Sequence, residues 1–562
     1  MLHPHPLLTH LRSRLAEGLR RQTATTCAKW AETYRVMGGD FPGPWRWDHH
    51  PWLREMHNAC DQPYRWQQII GMKGAQLGFT EWALNVALKS IDINCESILY
   101  ILPASTPDAH NFSTSRFDPA IEASDHLKNL FTDVSNVGHK RAGLSNLFIR
   151  GSRSRSQMKS LPVDKIIFDE LDEMILRNVT LAWERMSGRR EKLALYISTP
   201  TVDGIGIANM YKYSTMDVFT FQCPHCGKHT ELIWPDCMVI TADSIHDEGI
   251  RDSHLRCKEC HQRLEHDTKK DWLRNGEWVS RYRDRLDRGF HINQLYSMTV
   301  RPVEIATRYL KAQTNQADLQ EFYNSKIGVT YTAPDARITD QLIADCRGTT
   351  TMRHSSPPGI VTFMGVDVGS DLHYEIDQCT LNPAIPTTDI NLMTSTRIVE
   401  VGKVKDFEGK DGLDGVMARH NVLFCVIDRN PETRKAMEFA QRHYGRVAMC
   451  LYARGEASAQ QLRMNTEQLT VNVDRTSWMD LAFGRFHSNK RISIPLDTPL
   501  DWSEHLKTPA RVYKYDANGN AVAHYVSSEN EADHYAHARV YAEIALMLGC
   551  SILRNENLGN VV

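Results

Sequence analysis

An apolar run that ends in a cluster of acids is the clearest chemical signal in this chain. Residues 165–168 have the composition of a buried strand, and Asp169, Glu170, Asp172 and Glu173 follow them. Clustered carboxylates repel one another and are costly to bury, so they indicate a bound cation. At the end of a parallel strand, Asp169 can hold Mg²⁺ while Glu170 polarises the water that attacks the γ-phosphate of ATP. The alternative is an acidic helix N-terminus after an ordinary strand.

A glycine-containing loop at residues 71–80 has the context of a phosphate-binding loop, because it lies between a strand-like and a helix-like segment. The usual G-x-x-x-x-G-K-[ST] pattern is not satisfied, since Phe79 replaces its lysine and Lys73 replaces its first glycine. A lysine at the start of the loop can still reach the β- and γ-phosphates, and Thr80 can offer its hydroxyl to Mg²⁺. Taken alone, such a loop is an ordinary turn, but together with the acids it predicts ATP binding. The predicted binding residues are Lys73, Gly74, Ala75, Gln76, Leu77, Gly78, Phe79, Thr80 and Asp169.

A third strand-like run also ends in polar residues. The apolar residues 193–197 are followed by Ser198, Thr199 and Pro200. A polar strand end beside the γ-phosphate can sense hydrolysis and transmit it to a moving part. The alternative is a capped turn in which Pro200 only stops the strand. Because the run accompanies the loop and the acids, we predict that Ser198 and Thr199 belong to the nucleotide site.

The C-terminal half contains apolar runs that end in Asp367 and Asp428, and Asp533 opens a helix-like segment. Two acids on strand ends and one at a helix start are the pattern of an RNase H-like nuclease core. Such carboxylates bridge Mg²⁺ or Mn²⁺ ions that activate water for phosphodiester cleavage. Gly365 and Gly369 suit a tight metal-binding turn around Asp367. The alternative is an ordinary sheet edge, because strands that end in Asp are common in α/β proteins.

Two C-x₂-C pairs predict a zinc site. Cys223 and Cys226 form the first pair, Cys257 and Cys260 form the second, and thirty residues separate the pairs. Four thiolates in tetrahedral geometry bind Zn²⁺ and stabilise a small β-rich insertion. We predict a structural metal rather than DNA readout, because no basic helix accompanies the pairs. Unrelated cysteines are the alternative.

The composition predicts an intracellular protein with more than one domain. The chain has 562 residues and thirteen cysteines, and the cysteines outside the two pairs are scattered without a disulfide-like spacing. The N-terminus lacks the basic and apolar blocks of a signal peptide, and no apolar run approaches membrane-spanning length. The net charge of −2 does not indicate a nucleic-acid-binding protein, although a motor that binds DNA only transiently need not be basic overall.

These motifs together resemble the large terminase subunits of tailed phages. The resemblance rests on the deviant loop at residues 73–80, residues 160–164 leading into Asp169 and Glu170, and the Ser-Thr-Pro strand end at residues 198–200. It is greatest for the lambda-like branch, in which the lysine of the phosphate loop also stands early, and it covers roughly residues 40 to 545. It implies an ATP-driven motor that pumps double-stranded DNA into a procapsid, joined to a nuclease that cuts the concatemer.

The resemblance assigns Asp367, Asp428 and Asp533 to the nuclease metal site, with Mg²⁺ or Mn²⁺ as the ion, and Asp371 and Glu375 as candidate outer ligands. Many relatives have Glu where this chain has Asp428. The resemblance also implies a small terminase subunit and the portal protein as partners, and a homo-oligomer on the portal. It implies action in the host bacterial cytoplasm and transiently at the portal vertex, without a membrane and without a place in the mature virion.

The predicted fold class is α/β, with a P-loop NTPase domain of the RecA/ASCE type, a small zinc-ribbon-like insertion and an RNase H-like nuclease domain. The predicted domains are a helical arm (1–40), the ATPase (41–215), the zinc insertion (216–290), a connector and linker (291–359), the nuclease (360–550) and a tail (551–562).

Basic residues could serve the DNA or the ATP, and the sequence does not choose among them. The Ser/Arg-rich run at residues 150–159 either faces DNA phosphates or forms a solvated loop. Arg116, Arg185, Arg189 and Arg190 are candidates for an arginine finger.

Two other functions compete with packaging. One is a helicase or another ATP-driven DNA translocase, which the lack of a recognisable second RecA-like domain disfavours. The other is a non-enzymatic, zinc-stabilised assembly protein with a vestigial nucleotide loop.

Overall fold

The computed structural model describes residues 26–39, 41–132, 134–158, 161–333, 336–381, 390–453, 462, 464–487, 491–516, 520–528 and 531–559. The chain divides into two compact units, Met1–Tyr331 and Thr332–Val562. Most of the arm predicted at residues 1–40 lies outside the described residues, as do Ser160 of the family motif and the end of the predicted tail.

A parallel sheet forms the centre of the first unit. Its strands are β1 (Gln68–Lys73), β2 (Ile98–Leu102), β3 (Ser145–Gly151), β4 (Lys165–Asp169), β5 (Leu193–Ser198), β6 (Asp217–Gln222) and β7 (Arg288–Ile292). Their order across the sheet is β6-β7-β1-β5-β4-β2-β3, and every neighbouring pair is parallel. Since parallel strands end at the same edge of a sheet, the residues that follow β1, β4 and β5 meet there.

The strands of this sheet are buried on both faces, which explains their continuous apolar runs. Ile167 and Leu195 pack into the core on one face, whereas their neighbours Ile166 and Ala194 pack into the core on the other. Antiparallel strands extend the sheet at its two sides: His139–Ala142 and Val134–Asn136 beyond β3, and Glu277–Val279 and His229–Thr230 beside β6.

Helices cover the sheet of the first unit. The longest helix described there is α1 (Phe79–Asp92), which begins after Gly78 and is almost entirely buried. The other helices are Cys27–Tyr34, Leu53–Ala59, Asp118–Glu122, Asp125–Leu130, Leu176–Trp183, Gly206–Tyr213, Lys269–Leu273, Pro302–Ala312 and Gln316–Glu321. A π-helical turn, Phe322–Ile327, ends at Gly328 behind the loop that follows β1.

The zinc insertion is nested between two neighbouring strands of the central sheet. The chain leaves the sheet at the end of β6, forms a small sheet from Met238–Val239, His254–Arg256 and Arg263–Leu264, and returns as β7. The boundary predicted between residues 290 and 291 therefore falls inside β7, and residues 291–331 of the predicted connector belong to the first unit. A short apolar segment looks the same in the sequence whether it completes a sheet or begins a linker.

A mixed sheet forms the centre of the second unit. Its main strands are β8 (Thr362–Val368), β9 (Leu372–Leu381), β10 (Thr394–Val404), β11 (Val422–Asp428), β12 (Val447–Ala453) and β13 (Thr470–Asp474). Their order is β13-β12-β11-β8-β9-β10, with Met464–Asn465 and Ile492–Ser493 at the edges. The pairs β8–β9 and β9–β10 are antiparallel, whereas β8–β11, β11–β12 and β12–β13 are parallel. A meander on one side of β8 and parallel strands on its other side form a mixed α/β domain, in agreement with the fold class predicted for the C-terminal half.

The last helix, α2 (His534–Gly559), packs across β8. A Cβ atom at Gly365 would lie 2.1 Å from the backbone oxygen of Ala538 and 2.1 Å from the backbone nitrogen of Ala542. Gly365 therefore serves the close approach of the helix to the strand, not the metal-binding turn that the sequence suggested. The other helices of this unit are Asp340–Asp345, Ile390–Met393, Leu413–Arg419, Thr433–Arg442, Arg475–His487 and Leu500–Lys507, and a hairpin joins Ala510–Tyr515 to Ala521–Val526. No helix in the described part of the chain has the length and apolar character needed to cross a membrane.

Candidate nucleotide, zinc and acidic sites

The ends of β1 and β4 are joined by an ion pair. Lys73 is the last residue of β1, and its buried Nζ donates to Oε1 of Glu170 over 3.0 Å. Glu170 directly follows β4 and has a φ of +62°, a left-handed conformation that non-glycine residues rarely adopt. Such strain persists only where the surrounding structure holds it, and it is concentrated at functional sites. The predicted lysine and the predicted catalytic acid are therefore in direct contact.

Asp169 carries an oxygen that is free to hold a cation. The residue is buried at the end of β4, and the hydroxyl of Tyr100 donates to its Oδ2 over 2.6 Å. Its Oδ1 is buried and has no hydrogen-bond partner among the described residues. Burial, together with the charge of Glu170, raises the pKa of Asp169 to about 6. A buried carboxylate with an unpaired oxygen beside a second carboxylate fits a hard cation such as Mg²⁺.

Backbone hydrogen bonds to other segments of the chain fix the first residues of the phosphate loop. The amide nitrogen of Gly74 donates to the oxygen of Ile292 over 2.9 Å, and that of Ala75 donates to the oxygen of Ser325 over 2.6 Å. These two N–H groups therefore stabilise the loop and are not free for phosphate. Gly78 has a φ of +81° and leads into α1, so the N–H groups at the start of that helix remain as the phosphate cradle.

Phe79, which stands where a lysine was expected, is a core residue. It is buried and packs edge-on against Trp82, with ring centroids 5.6 Å apart. The position therefore contributes packing and its backbone N–H to the loop, which leaves Lys73 as the loop's cation.

A cavity of about 550 Å³ borders the phosphate loop. Lys73 and the loop residues from Gln76 to Thr80 line part of it. The remaining lining includes the aromatic residues Phe41 and Trp45. Arg116 also lines the cavity and is the candidate arginine finger nearest the predicted ATP, whereas Arg189 pairs with Asp164.

The Ser-Thr-Pro strand end is connected to the acidic cluster through Asp172. The amide nitrogen of Asp172 donates to Ser198 Oγ over 3.1 Å, and that hydroxyl donates to the oxygen of Thr199 over 2.9 Å. The Asp172 carboxylate accepts from the nitrogen and hydroxyl of Thr201, and from the nitrogen of Ile207. Burial raises the pKa of Asp172 to about 6. The ends of β4 and β5 are thus linked by hydrogen bonds.

The sulfur atoms of Cys223, Cys226, Cys257 and Cys260 all lie within 4.8 Å of one another. Those of Cys223 and Cys260 are 3.9 Å apart. Zn–S bonds of about 2.3 Å in a tetrahedron place the sulfurs roughly 3.8 Å apart, so the donor set fits Zn²⁺. In the described part of the chain, this is the only group of three or more His, Cys, Asp or Glu donors with that spacing.

The two C-x₂-C pairs form turns of the same kind. The nitrogen of Gly227 donates to the oxygen of Cys223, and the nitrogen of His261 donates to the oxygen of Cys257, over 2.9 and 3.0 Å. Gly227 and His261 both have positive φ angles, of +71° and +58°. The repeated backbone geometry directs each pair of thiols towards the same point.

Asp367 and Asp428 lie side by side, because Val366 pairs with Ile427 and each acid comes next along the neighbouring parallel strands β8 and β11. Burial and the nearby charge of Asp367 raise the pKa of Asp428. Asp371 follows the end of β8, and its backbone oxygen accepts a hydrogen bond from the backbone nitrogen of Gly369. Glu375 is buried away from solvent and pairs with Arg539, so it belongs to an internal ion pair rather than to an open metal site.

Two histidines contact predicted site acids of the second unit. His534 Nδ1 lies 2.8 Å from Asp367 Oδ2, and this contact raises the pKa of the imidazole. His537 Nε2 lies 3.4 Å from Asp533 Oδ2, and Ser527 donates to the same oxygen. Burial acts to raise the pKa of Asp533, but the contact with His537 outweighs it and lowers that pKa below its usual range. The three acids predicted to bind one metal centre do not converge within 4.8 Å.

Two family models match the chain. The description "Phage terminase large subunit gpA, ATPase domain" matches residues 39–278, and "Terminase large subunit gpA, endonuclease domain" matches residues 287–382. Together these matches cover more than half of the 562 residues. The chain belongs to the phage terminase large subunits.

A solved large terminase shares the fold of this terminase subunit. The large terminase of bacteriophage HK97 is 10% identical, with a TM-score of 0.53, and the match covers 94% of this chain and 100% of that one. The large terminase of a thermophilic bacteriophage is 10% identical over 86% of this chain and 95% of that one, with a TM-score of 0.30. The ATPase domain of the Thermus phage P74-26 large terminase is 14% identical over 50% of this chain and 93% of that one, with a TM-score of 0.31. The last two scores are too low to show a shared fold, and no curated protein matches the chain.

The endonuclease match begins one residue before β7 of the first unit and ends at residue 382. Asp367 lies inside it, whereas Asp428 and Asp533 lie beyond it.

Sequence reasoning about this terminase subunit missed Tyr100, His373 and His537, which come from distant parts of the chain. Tyr100, His534 and His537 each contact a predicted site acid, and His373 stacks on His534 with ring centroids 4.6 Å apart. The signal for His373 is its register, because it pairs directly with Asp367 across β8 and β9.

Proposed function

We propose that this terminase subunit binds Mg²⁺-ATP at residues 73–80 and uses its hydrolysis to move double-stranded DNA into a procapsid. The contact between Lys73 and Glu170, beside the unpaired oxygen of Asp169, carries this proposal. With these roles, a cation for phosphate, a metal ligand and a general base would lie at one edge of one sheet, beside a cavity of about 550 Å³.

In this mechanism Lys73 changes partner when ATP arrives. Its ammonium leaves Glu170 for the β- and γ-phosphates, and Glu170 becomes free to orient the attacking water and to accept its proton. Asp169 and Thr80 would hold Mg²⁺, which supplies charge neutralisation for the phosphates. The bond between the γ-phosphorus and the bridging oxygen breaks, and ADP and phosphate leave.

Ser198 and Thr199 couple hydrolysis to movement of the chain in this proposal. The hydrogen bond between Asp172 and Ser198 links the strand end to the loop that carries Glu170. A shift of Glu170 therefore displaces the end of β5 and the helix Gly206–Tyr213, whose first turn donates to Asp172.

Asp367, Asp428 and Asp533 form the proposed nuclease site, which cuts concatemeric DNA with Mg²⁺ or Mn²⁺. The first two already lie side by side, and Asp533 stands at the start of the helix that packs over them. Cleavage requires His534 and His537 to release their acids to the metal. The bound ions supply an activated water and stabilise the leaving oxygen.

Cys223, Cys226, Cys257 and Cys260 are proposed to hold a structural Zn²⁺, because their sulfurs already have the spacing of a tetrahedral site. The proposed partners are double-stranded DNA, a small terminase subunit and the portal protein, with several copies of the chain on the portal. The proposed place of action is the host bacterial cytoplasm and the portal vertex, not the mature virion.

The experiment that tests the motor compares Glu170→Gln with Glu173→Gln. Glu173 belongs to the same acidic cluster but is exposed, so it is a matched control. We expect Glu170→Gln to lower ATP hydrolysis by at least about 100-fold while it keeps nucleotide binding, because only the proton acceptor is lost. Glu173→Gln should hydrolyse ATP like the wild type. Hydrolysis that survives in Glu170→Gln would refute the assigned base, and binding without turnover in the wild type would favour a non-enzymatic assembly protein.

A further inference from the structure

The start of the phosphate loop is held by the chain that returns from the zinc insertion, residues 292–297, here called the return segment. The nitrogen of Gly74 donates to the oxygen of Ile292, and Gln294 Nε2 donates to the oxygen of Ala75 over 3.1 Å. Gln294 is fully buried, and its Oε1 has no hydrogen-bond partner among the described residues. An unpaired buried amide oxygen is costly, so the value of Gln294 lies in its bond to the loop.

The zinc insertion holds the return segment from the other side. Asn293 Nδ2 donates to the oxygen of Leu232 over 2.8 Å. Lys269 Nζ donates to the oxygens of Leu295 and Ser297, over 2.8 Å each. All three bonds are made by buried side chains, and Leu232 and Lys269 belong to the insertion. The return segment is therefore fixed between the insertion and the phosphate loop.

A second connection reaches the far end of the loop. Trp52 Nε1 donates to the oxygen of Leu77 over 3.0 Å, and Trp278 Nε1 donates to the oxygen of Trp52 over 2.8 Å. Both indoles are buried, and Trp278 lies on Glu277–Val279, the last strand of the insertion. The insertion thus supports the loop at Ala75 and at Leu77, on both sides of Gln76.

The insertion has little regular structure with which to hold these contacts by itself. Its small sheet is built from strands of two or three residues, and β6 runs directly into Cys223. Strands this short are stable only when something else fixes them, and four thiolates on one Zn²⁺ would do so. Leu232 follows the first cysteine pair and Lys269 follows the second, so the segment that carries both anchors passes through the predicted zinc site.

We propose that the zinc-binding insertion positions the phosphate loop for ATP, with Gln294 and Trp278 as its positioning residues. This inference rests on the proposed binding of ATP at residues 73–80. Neither side chain touches the nucleotide, because each acts through a backbone carbonyl. Loss of either bond leaves the loop with more conformations, so nucleotide binding has to order it and weakens.

The first test compares Trp278→Phe with Trp272→Phe in the full chain. Both tryptophans lie in the insertion and are 7% and 8% exposed, but Trp272 Nε1 donates to Glu265 within the insertion. We expect Trp278→Phe to bind MgADP roughly two- to tenfold more weakly than the wild type in calorimetric titration. Trp272→Phe should stay within about twofold of the wild type, and both should keep their zinc.

The second test removes the other connection. Gln294→Met keeps the length of the side chain and also removes the unpaired Oε1, so we expect an unchanged thermal midpoint. It should raise the Kd for MgADP and the KM for ATP roughly two- to tenfold, with kcat changed less. Zinc chelation should weaken MgADP binding in the wild type more than in the double variant Gln294→Met/Trp278→Phe, in which the connection is already broken.

Equal affinities in the wild type, Trp278→Phe and Gln294→Met would overturn the inference while leaving the proposed ATP site intact. An equal loss in the two tryptophan variants would also overturn it, because the effect would then be a general loosening of the insertion. A wild-type chain that binds no MgADP at all would overturn the proposed function, and this inference with it.

Discussion

The acids of the first unit face a lysine, whereas those of the second unit face histidines. Glu170 lies 3.0 Å from the ammonium of Lys73, on an adjacent part of the same sheet edge. Asp367 and Asp533 lie 2.8 and 3.4 Å from the imidazoles of His534 and His537. The predicted base of the first unit therefore already contacts a cation from another strand, whereas two predicted acids of the second unit contact imidazoles.

The two predicted metal sites differ in how close their ligand atoms lie to one another. Neutral thiols do not repel, so backbone turns alone can bring the four sulfurs within 4.8 Å of one another. Carboxylates at that spacing destabilise one another unless a cation lies between them. The four thiols predicted to bind zinc are therefore already close together, whereas the three acids predicted for the nuclease do not converge within 4.8 Å.

Of the changes that test this comparison, removal of zinc is expected to have the largest effect. Structural Zn²⁺ contributes about 10 kcal/mol or more to the folding of small zinc domains. A strong chelator under reducing conditions should therefore unfold the insertion around residues 223–264 and expose it to protease. Removal of Mg²⁺ or Mn²⁺ should leave the proteolysis of the second unit unchanged. Equal protection of the insertion with and without the chelator would contradict a structural zinc.

Asp367→Asn should abolish the proposed DNA cleavage. Loss of one metal-binding carboxylate should lower the Mn²⁺-dependent nicking of plasmid by at least about 100-fold. Asp474→Asn is the matched control, because Asp474 also ends a parallel strand of this sheet but caps a helix through Ser477. Asparagine caps helices as well as aspartate does, so this variant should cut normally. An equal loss of cleavage in both variants would show that the sheet edge, not a metal ligand, had been damaged.

Lys269 tests whether a buried cation without an acidic partner limits stability in the first unit. Burial lowers its pKa to about 7, from about 10.4 in an unfolded chain. Between those values the unfolded chain binds more protons, so folding is increasingly favoured as the pH rises. The free energy of unfolding of the wild type should therefore rise relative to that of Lys269→Met as the pH increases. The rise should be up to about 1.4 kcal/mol per pH unit between about pH 7.5 and 9.

The control for this titration is Lys270→Met, which changes the exposed neighbouring lysine. Its free energy of unfolding should follow that of the wild type across the same pH range. Denaturant unfolding at a series of pH values measures both differences. A constant difference between the wild type and Lys269→Met would show that Lys269 remains charged in the folded chain.

Tyr100→Phe should have the smallest effect. The hydroxyl of Tyr100 donates to Asp169 and acts to lower its pKa, so its removal leaves a less well-oriented and more readily protonated ligand. We expect the Mg²⁺ concentration for half-maximal ATP hydrolysis to rise about two- to tenfold. Tyr196→Phe, which changes a buried tyrosine on the neighbouring β5, should have no such effect. If both variants respond alike, the tyrosine contributes packing only.

Much of the first site could be predicted because its signals are local. The end of β4, the loop after β1 and the two cysteine pairs each occupy a few consecutive residues whose types are dictated by a turn, a strand end or a metal ligand. The parallel arrangement then brings the ends of β1, β4 and β5 to one edge. The likeness to terminase large subunits followed from the loop after β1, the end of β4 and the Ser-Thr-Pro end of β5, and the family matches confirm it.

The residues that could do chemistry were identifiable from the chain alone: Lys73, Glu170, the four paired cysteines and the acids at strand ends. The folded molecule was needed to show that β7 completes the ATPase sheet and that Gln294 and Trp278 reach the phosphate loop. It was also needed to show that His534 and His537 contact two of the acids predicted for the nuclease site. Those relations depend on strand register and helix packing between residues far apart in the chain. A side chain's type limits which bonds it can make, but only the fold determines which partner lies within reach.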